Sequence, residues 1–464
     1  MNVKSNYIFI SIIFIINIYH IFPLKFAIHK IQYDQITRSL LNVNETTQNQ
    51  IGQIPLKPPN EGLYTLSLNI GKPCQKFNVL LDTVTSLIWV NNQNCKSCQS
   101  ENKFIPSSSM YFEQTPEEIK INYISGEISG NICKDYIEFN DDSASEKFNF
   151  ILINETNLNY KLDGIFGLSK GVANIRNLEY STSYQIQRSK IFEKNIFLLD
   201  FPKNAFYIDE IPSYLKEYNR FSCKNTKMNK FDNYYWNCIY ENIKFNHELI
   251  QTNSSTYNYI IFNSGTNCLI FPRYYIALFN DIISNNKLLK DSKCSIKMDN
   301  DNNNIYELIC DNNINDAING KNKEYKNIYN NKEFVSLYLN KDNKIFFKLS
   351  ELYDKDNMNF KIYFTETHND AIVLGIPFFE KYTILLDKDN NEIFIYDGIK
   401  NNGKKNIYKT IFSAIFIGVI VLLLILLIYI IIRKKRQLSS NQLEKSFSSD
   451  SGIMSPEMRA INEE

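Results

Sequence analysis

A strand-like apolar run that ends in a small polar turn occurs twice in this chain. The first copy is Val79-Leu80-Leu81-Asp82-Thr83-Val84-Thr85 and the second is Ile260-Ile261-Phe262-Asn263-Ser264-Gly265-Thr266. From Asp82 to Asn263 the offset is 181 residues, 263 less 82. An apolar segment with glycine follows each copy: Gly164-Ile165-Phe166-Gly167-Leu168 in the first half and Val373-Leu374-Gly375-Ile376 in the second. Repetition at this distance implies a duplicated body, two lobes related by a pseudo-two-fold axis, and a cleft between them.

The body between residues 63 and 396 reads as all-β with few helices. Its short runs are β-branched or aromatic: 64–70, 77–81, 87–90, 148–153, 259–262, 362–364, 372–374, 383–386 and 393–396. Turns rich in Asn, Asp and Gly separate them. Two stretches, 274–284 and 182–194, have helical spacing. A body of this length can bury a large core in two lobes, expected over 61–212 and 213–398.

The ends of the chain have a different character. Lys4 precedes an Ile- and Phe-rich stretch, 7–22, that is shorter than a typical membrane span. That is the pattern of a signal peptide over 1–27, with cleavage near Ala27 and an uncleaved anchor as the alternative. Residues 411–432 contain no charge and no polar face. At ~1.5 Å per residue they reach roughly 33 Å, enough for a transmembrane helix. Arg433, Lys434, Lys435 and Arg436 follow at once, and 399–410 forms the juxtamembrane linker. The expected topology is a single-pass type I protein of the secretory pathway. Its body is luminal or extracellular, and its polar, Ser-rich cytosolic tail covers 433–464. The formal net charge of +1 gives no bulk field for nucleic acid.

Nine cysteines suit an oxidising compartment. Cys95 and Cys98 form a lone CxxC, expected to close a small structural loop in preference to a redox or metal site. Cys294 and Cys310 are a second candidate pair, and the odd count leaves at least one thiol without an internal partner. Glycosylation sequons stand at Asn44, Asn154 and Asn253.

Five blocks carry a resemblance. Ile70-Gly71-Lys72-Pro73-Cys74-Gln75-Lys76-Phe77 leads into Asp82-Thr83-Val84-Thr85-Ser86 and then Trp89-Val90. Tyr123-Ile124-Ser125-Gly126 follows, then 162–168, 262–269 and 372–396. In this order they resemble the first active-site block, the flap, the Asp-Gly-Ile stretch, the second active-site block and the closing strands of the pepsin-like aspartic proteases. The resemblance implies that family's bilobal all-β fold, here with a C-terminal transmembrane helix added. It implies an extended peptide or protein as substrate or ligand, and no metal or organic cofactor. A prosegment over 28–60 resembles the family's only loosely. Oligomeric state is left open.

The family's chemistry needs two carboxylates, one charged to take a proton from water and one protonated to donate to the peptide carbonyl. Asp82 matches the first, and Asn263 stands at the second. Asparagine is nearly isosteric but cannot exchange a proton near neutral pH. Losing the partner carboxylate also removes what we expect to be the main cause of a raised Asp82 pKa. Val84 replaces the glycine of the first turn, adding bulk and stiffness. Thr83 and Ser264 match the hydroxyls that brace the loops, and Thr85 and Thr266 those that hydrogen-bond the carboxylates. Trp89 and Tyr123 match the flap pair. The expected function is thus an aspartic endopeptidase homologue with impaired catalysis. The alternatives are a peptide-binding pseudo-peptidase and a surface or trafficking protein whose cleft plays no part.

Overall fold

A computed structural model describes residues 24–30, 63–400 and 419–436, apart from 124–125, 140–144, 159–160, 172–174, 225–233, 251–257, 300–301, 320–322, 355–358 and 367–369. Residues up to 399 form one compact unit and residues from 400 onward a second.

The repeated sequence unit folds the same way twice. In the first half the strand Gln75–Asp82 runs parallel to Gly164–Gly167, with Asp82 opposite Gly167. Ile88–Asn91 returns antiparallel to Gly164–Gly167 and parallel to Ser145–Thr156. In the second half Tyr259–Phe262 runs parallel to Ile372–Leu374, with Phe262 opposite Leu374. Leu269–Pro272 returns antiparallel to Ile372–Leu374 and parallel to Asn359–Thr365. Strands flanked on both sides and covered on both faces must be apolar throughout, which is why these runs do not alternate. Val79, Leu80 and Leu81, like Ile260 and Phe262, are buried. Two glycines are dictated by how closely the chain returns. A Cβ on Gly167 would stand 2.4 Å from the Thr85 carbonyl oxygen, and one on Gly375 would stand 2.5 Å from that of Thr266.

Six consecutive strands of a 13-stranded sheet join the halves, in the order Tyr218–Lys224, Glu392–Lys400, Thr383–Asp387, Ile196–Asp200, Ala205–Ile208 and Leu24–Lys30. Three come from each half. The last of these six strands, Leu24–Lys30, straddles the end of the expected leader. Ala27 pairs with Ala205, and Lys30 with Tyr64, so a cut at Ala27 would divide this strand. The rest of the expected prosegment, 31–60, lies outside the described residues. Side chains also link the halves. Trp236 Nε1 donates to the Leu168 carbonyl at 2.7 Å, and the Tyr64 and Phe201 rings stack at 4.1 Å beside Phe379.

All nine expected strands are present, most of them extended by one or more residues at an end. The helix expected over 274–284 is Tyr275–Asn285. That expected over 182–194 stops at Arg188. There Ser189 is extended, its hydroxyl is held by Glu146, and the chain turns back toward the strand Ile196–Asp200. Lys287–Asp291, Ile314–Asn319 and Lys323–Asn330 are further helices that the sequence reading did not anticipate. Cys95–Cys98 and Cys294–Cys310 are bridged as expected, and Cys223–Cys238 is a third bridge that spacing did not suggest. Cys74, Cys133 and Cys268 are free thiols.

Asn154 lies within the strand Ser145–Thr156, half-buried. Its amide donates to Asn131 Oδ1 and accepts from Asn92 Nδ2, both at 2.8 Å. Both ends of this sequon amide are therefore engaged in the folded state. Asn44 and Asn253 lie outside the described residues.

In the second unit, 419–436 is helical, with apolar residues to Ile432 followed by the four cations. Among the described residues no helix is long and apolar enough to cross a membrane. The first eight residues of the expected span, 411–418, lie outside them.

Candidate functional site

The two turns meet where the two central strands end. Asp82 closes the first strand and Asn263 follows the second, and both are fully buried. A reciprocal set of hydrogen bonds clasps the turns. Thr83 Oγ1 donates to the Phe262 carbonyl at 2.8 Å and accepts from Ser264 N at 3.0 Å. Ser264 Oγ donates to the Leu81 carbonyl at 2.7 Å and accepts from Thr83 N at 3.0 Å. Each hydroxyl thus satisfies one backbone donor and one backbone acceptor of the opposite half. This is a strong constraint in a buried site, where an unpaired group costs about 1–3 kcal/mol.

The inner oxygens also match. Val84 N donates to Asp82 Oδ1 and Gly265 N to Asn263 Oδ1, each at 2.9 Å. A Cβ on Gly265 would lie 2.9 Å from Asp82 Oδ1 and 3.2 Å from Asn263 Oδ1, so both side chains crowd one point and only glycine fits there.

The outer atoms break the symmetry. Thr85 Oγ1 donates to Asp82 Oδ2 at 2.5 Å. Thr266, expected to do the same for its partner, instead stands with Oγ1 3.5 Å from Cys268 Sγ. The outer atoms of the two side chains also differ in kind. Gly265 N requires an acceptor, so the Asn263 oxygen points inward and the outer atom is Nδ2, a donor. A threonine hydroxyl could meet it only as an acceptor, and Thr266 does not. Asn263 Nδ2 is left buried and without a hydrogen-bond partner.

Burial is the largest influence on Asp82. It raises the carboxyl pKa to about 6, against the opposing hydrogen bonds from Thr85 and the Val84 backbone. The partner carboxylate was expected to be the main cause of a raised pKa, and here desolvation is the largest cause. Cys268 is fully buried, and burial pushes its thiol up, so it is no nucleophile.

Val84 keeps an ordinary backbone, outside the left-handed region. Its side chain is buried in a small apolar cluster with Tyr235, Tyr259, Ile261, Ile270 and Val373, all from the second half. The bulk expected to disturb the turn is therefore absorbed by the opposite lobe. Tyr235 was not expected at the site. Burial, then the neighbouring Tyr234 and the Asp82 charge, push its phenol up. No motif marks this tyrosine, and only the fold brings it to the aspartate. Trp89 is fully buried in its strand. Tyr123 ends the strand Glu113–Tyr123 with its backbone opposite Gly126 across a hairpin, and its side chain lies outside the described residues. Among the described residues no group of three His, Cys, Asp or Glu could hold a metal ion.

A family model described as eukaryotic aspartyl protease matches residues 63–396. Vacuolar protease A of Aspergillus fumigatus is 26% identical over 238 residues, 48% of this chain and 57% of that protein. Pepsin A of Sus scrofa is 36% identical over 90 residues, 19% of this chain and 23% of that protein. Cathepsin D of Gallus gallus is 25% identical over 165 residues, 34% of this chain and 39% of that protein. In each case the match spans less than two thirds of the relative.

Proposed function

The chain belongs to the eukaryotic aspartyl protease family, and from that premise we propose that its interlobe site binds extended peptides while hydrolysing them slowly or not at all. One observation carries this reading. Asn263 occupies the position related to Asp82 by the reciprocal clasp of Thr83 and Ser264, and an amide there can neither give up nor take a proton. General acid–base catalysis by two groups in concert is thereby reduced to one, a loss on the order of 10²–10⁴ in rate.

The scaffold supports retained binding. The clasp is complete, Asp82 is held by two hydrogen bonds, and Val84 two residues on is packed in a buried cluster of the second half. We also propose a single-pass type I membrane protein of the secretory pathway. Three disulfides, the apolar stretch 411–432 with its trailing cations, and similarity to a vacuolar protease support that topology.

The test is turnover of a mixed peptide pool by the detergent-solubilised full chain from acid to neutral pH, beside Asn263→Asp. The expected result is cleavage by the variant alone. Cleavage by the native chain that Asp82→Ala abolishes would overturn the proposal.

A further inference from the structure

The sequon Asn154-Glu155-Thr156 forms the last three residues of the strand Ser145–Thr156. Sugar acceptors are ordinarily found on surface loops, so the surroundings of this one decide whether a sugar fits. A primary amide carries two N–H donors. Asn154 Nδ2 gives one to Asn131 Oδ1 at 2.8 Å, while its oxygen accepts from Asn92 Nδ2. Among the described residues no acceptor meets the second N–H. Asn154 also lines a surface cavity of about 410 Å³ whose lining residues are all polar. Asn94 and Ser97 reach it from the loop around the Cys95–Cys98 bridge, Glu127 and Ser129 from the facing strand Gly126–Glu138, and Asn157 from the chain just past the sequon. The walls are tied together, because Thr156 N donates to Ser97 Oγ at 2.9 Å and Glu127 N donates to Asn157 Oδ1. Amides, hydroxyls and a carboxylate between them give and take hydrogen bonds, which suits a guest made of hydroxyls.

We propose that Asn154 carries an N-linked glycan whose first sugar is seated in this cavity. The inference rests on the secretory-pathway reading. The step is a transfer from a lipid-linked oligosaccharyl diphosphate. A bond forms between Asn154 Nδ2 and C1 of the sugar, and the bond from C1 to the diphosphate breaks. The diphosphate leaves with the electron pair, and the displaced amide proton passes to solvent. Only the N–H that lacks an acceptor is replaced, so the bonds to Asn131 and from Asn92 survive the modification. Thr156 sets the order of events. The sequon requires its hydroxyl, and in the fold that hydroxyl is taken: Oγ1 donates to the Glu127 carbonyl at 3.1 Å and accepts from Leu158 N at 3.0 Å. Transfer therefore precedes the closing of this strand onto Gly126–Glu138. Once the strand has closed, the cavity walls cover the new C1–N bond.

The experiment uses the full chain produced in a eukaryotic secretory host. Peptide N-glycosidase in heavy-oxygen water leaves a labelled aspartate at each modified position, and the tryptic peptide 148–161 is read by fragment mass spectrometry. The expected result is label at Asn154 and none at Asn149, Asn157 or Asn159 of the same peptide. Release of the glycan from the folded chain is expected to be about tenfold slower than after heat denaturation, because cleavage must wait for local opening. Ser97→Ala with Asn157→Ala, which unties the walls, is expected to keep the label and to bring release from the folded chain up to the denatured rate. No label at Asn154 beside label at Asn44 or Asn253 overturns the inference and leaves the secretory reading in place. No label at any of the three overturns both. Equal release before and after denaturation, or slow release that survives the double variant, overturns the seating in the cavity.

Discussion

The two clasped turns share a backbone and differ in their side chains. In the first, a carboxylate receives a backbone N–H on one oxygen and a threonine hydroxyl on the other, while the next residue but one is valine. In the second, an amide receives the same backbone N–H, its threonine is turned away, and the equivalent residue is glycine. Each exception lies across from the other's rule. Gly265 is required because the Asp82 carboxylate fills its Cβ space, and Val84 is tolerated because the opposite lobe supplies an apolar socket. The comparison separates what a pseudo-symmetric clasp needs, which is the pair Thr83 and Ser264, from the ionisable group, which only the first turn carries.

Restoring the symmetry of charge should have the largest effect. Asn263→Asp is expected to raise peptide turnover at acid pH by on the order of 10²–10⁴, measured as initial rates on a fluorogenic peptide. No gain would mean that Val84 also blocks the reaction, which Val84→Gly in the same background would then relieve. Next comes exchange of bulk between the turns. Gly265→Val forces atoms into the Asp82 carboxylate and should cost about 3 kcal/mol or prevent folding, whereas Val84→Gly should cost about 1–2 kcal/mol through a lost contact and a looser chain. Thermal unfolding that ranked them the other way would break the comparison.

The third effect is a pH dependence confined to the first turn. Native Asp82 titrates near pH 6 against about 4 in an unfolded chain, so between those values the folded state holds the extra proton. Stability therefore falls as pH rises through that window and levels off above it. A shift of this size is worth on the order of 2–3 kcal/mol. Asp82→Asn should remove the slope and raise the neutral-pH stability by a like amount, read from Tm against pH. Smallest is the pair of threonine substitutions. Thr85→Val removes a bond to a carboxylate and should cost about 1.5–3 kcal/mol below its pH 7 stability, while Thr266→Val should cost under about 1 kcal/mol. Equal costs would show that Thr266 reaches Asn263 after all.

Much of this was legible because it is local. The apolar runs ending at Leu81 and Phe262, the turn residues behind them and the glycines at 167 and 375 are consequences of a chain that passes twice through the centre of a buried sheet. Such strands leave a continuous apolar signature. The third bridge, Cys223–Cys238, left no signature, since loop size alone does not fix pairing. The short helices at 287–291, 314–319 and 323–330 were missed because segments of this length gain their stability from packing, not from propensity.

The sequence by itself determined the duplication and the identity of both turn residues, and hence that one turn carries an ionisable carboxyl and the other an amide. Those are properties of residue types and their spacing. Only the tertiary structure decided the rest: that burial raises the Asp82 pKa without a second carboxylate, that Thr266 turns to Cys268, that Asn263 Nδ2 is left unmet, and that Val84 and Tyr235 share one cluster. Solvation, hydrogen-bond direction and fit depend on which atoms from distant parts of the chain come within a few ångströms of one another. That is fixed by the closure of two lobes around a common axis, and no local pattern encodes it.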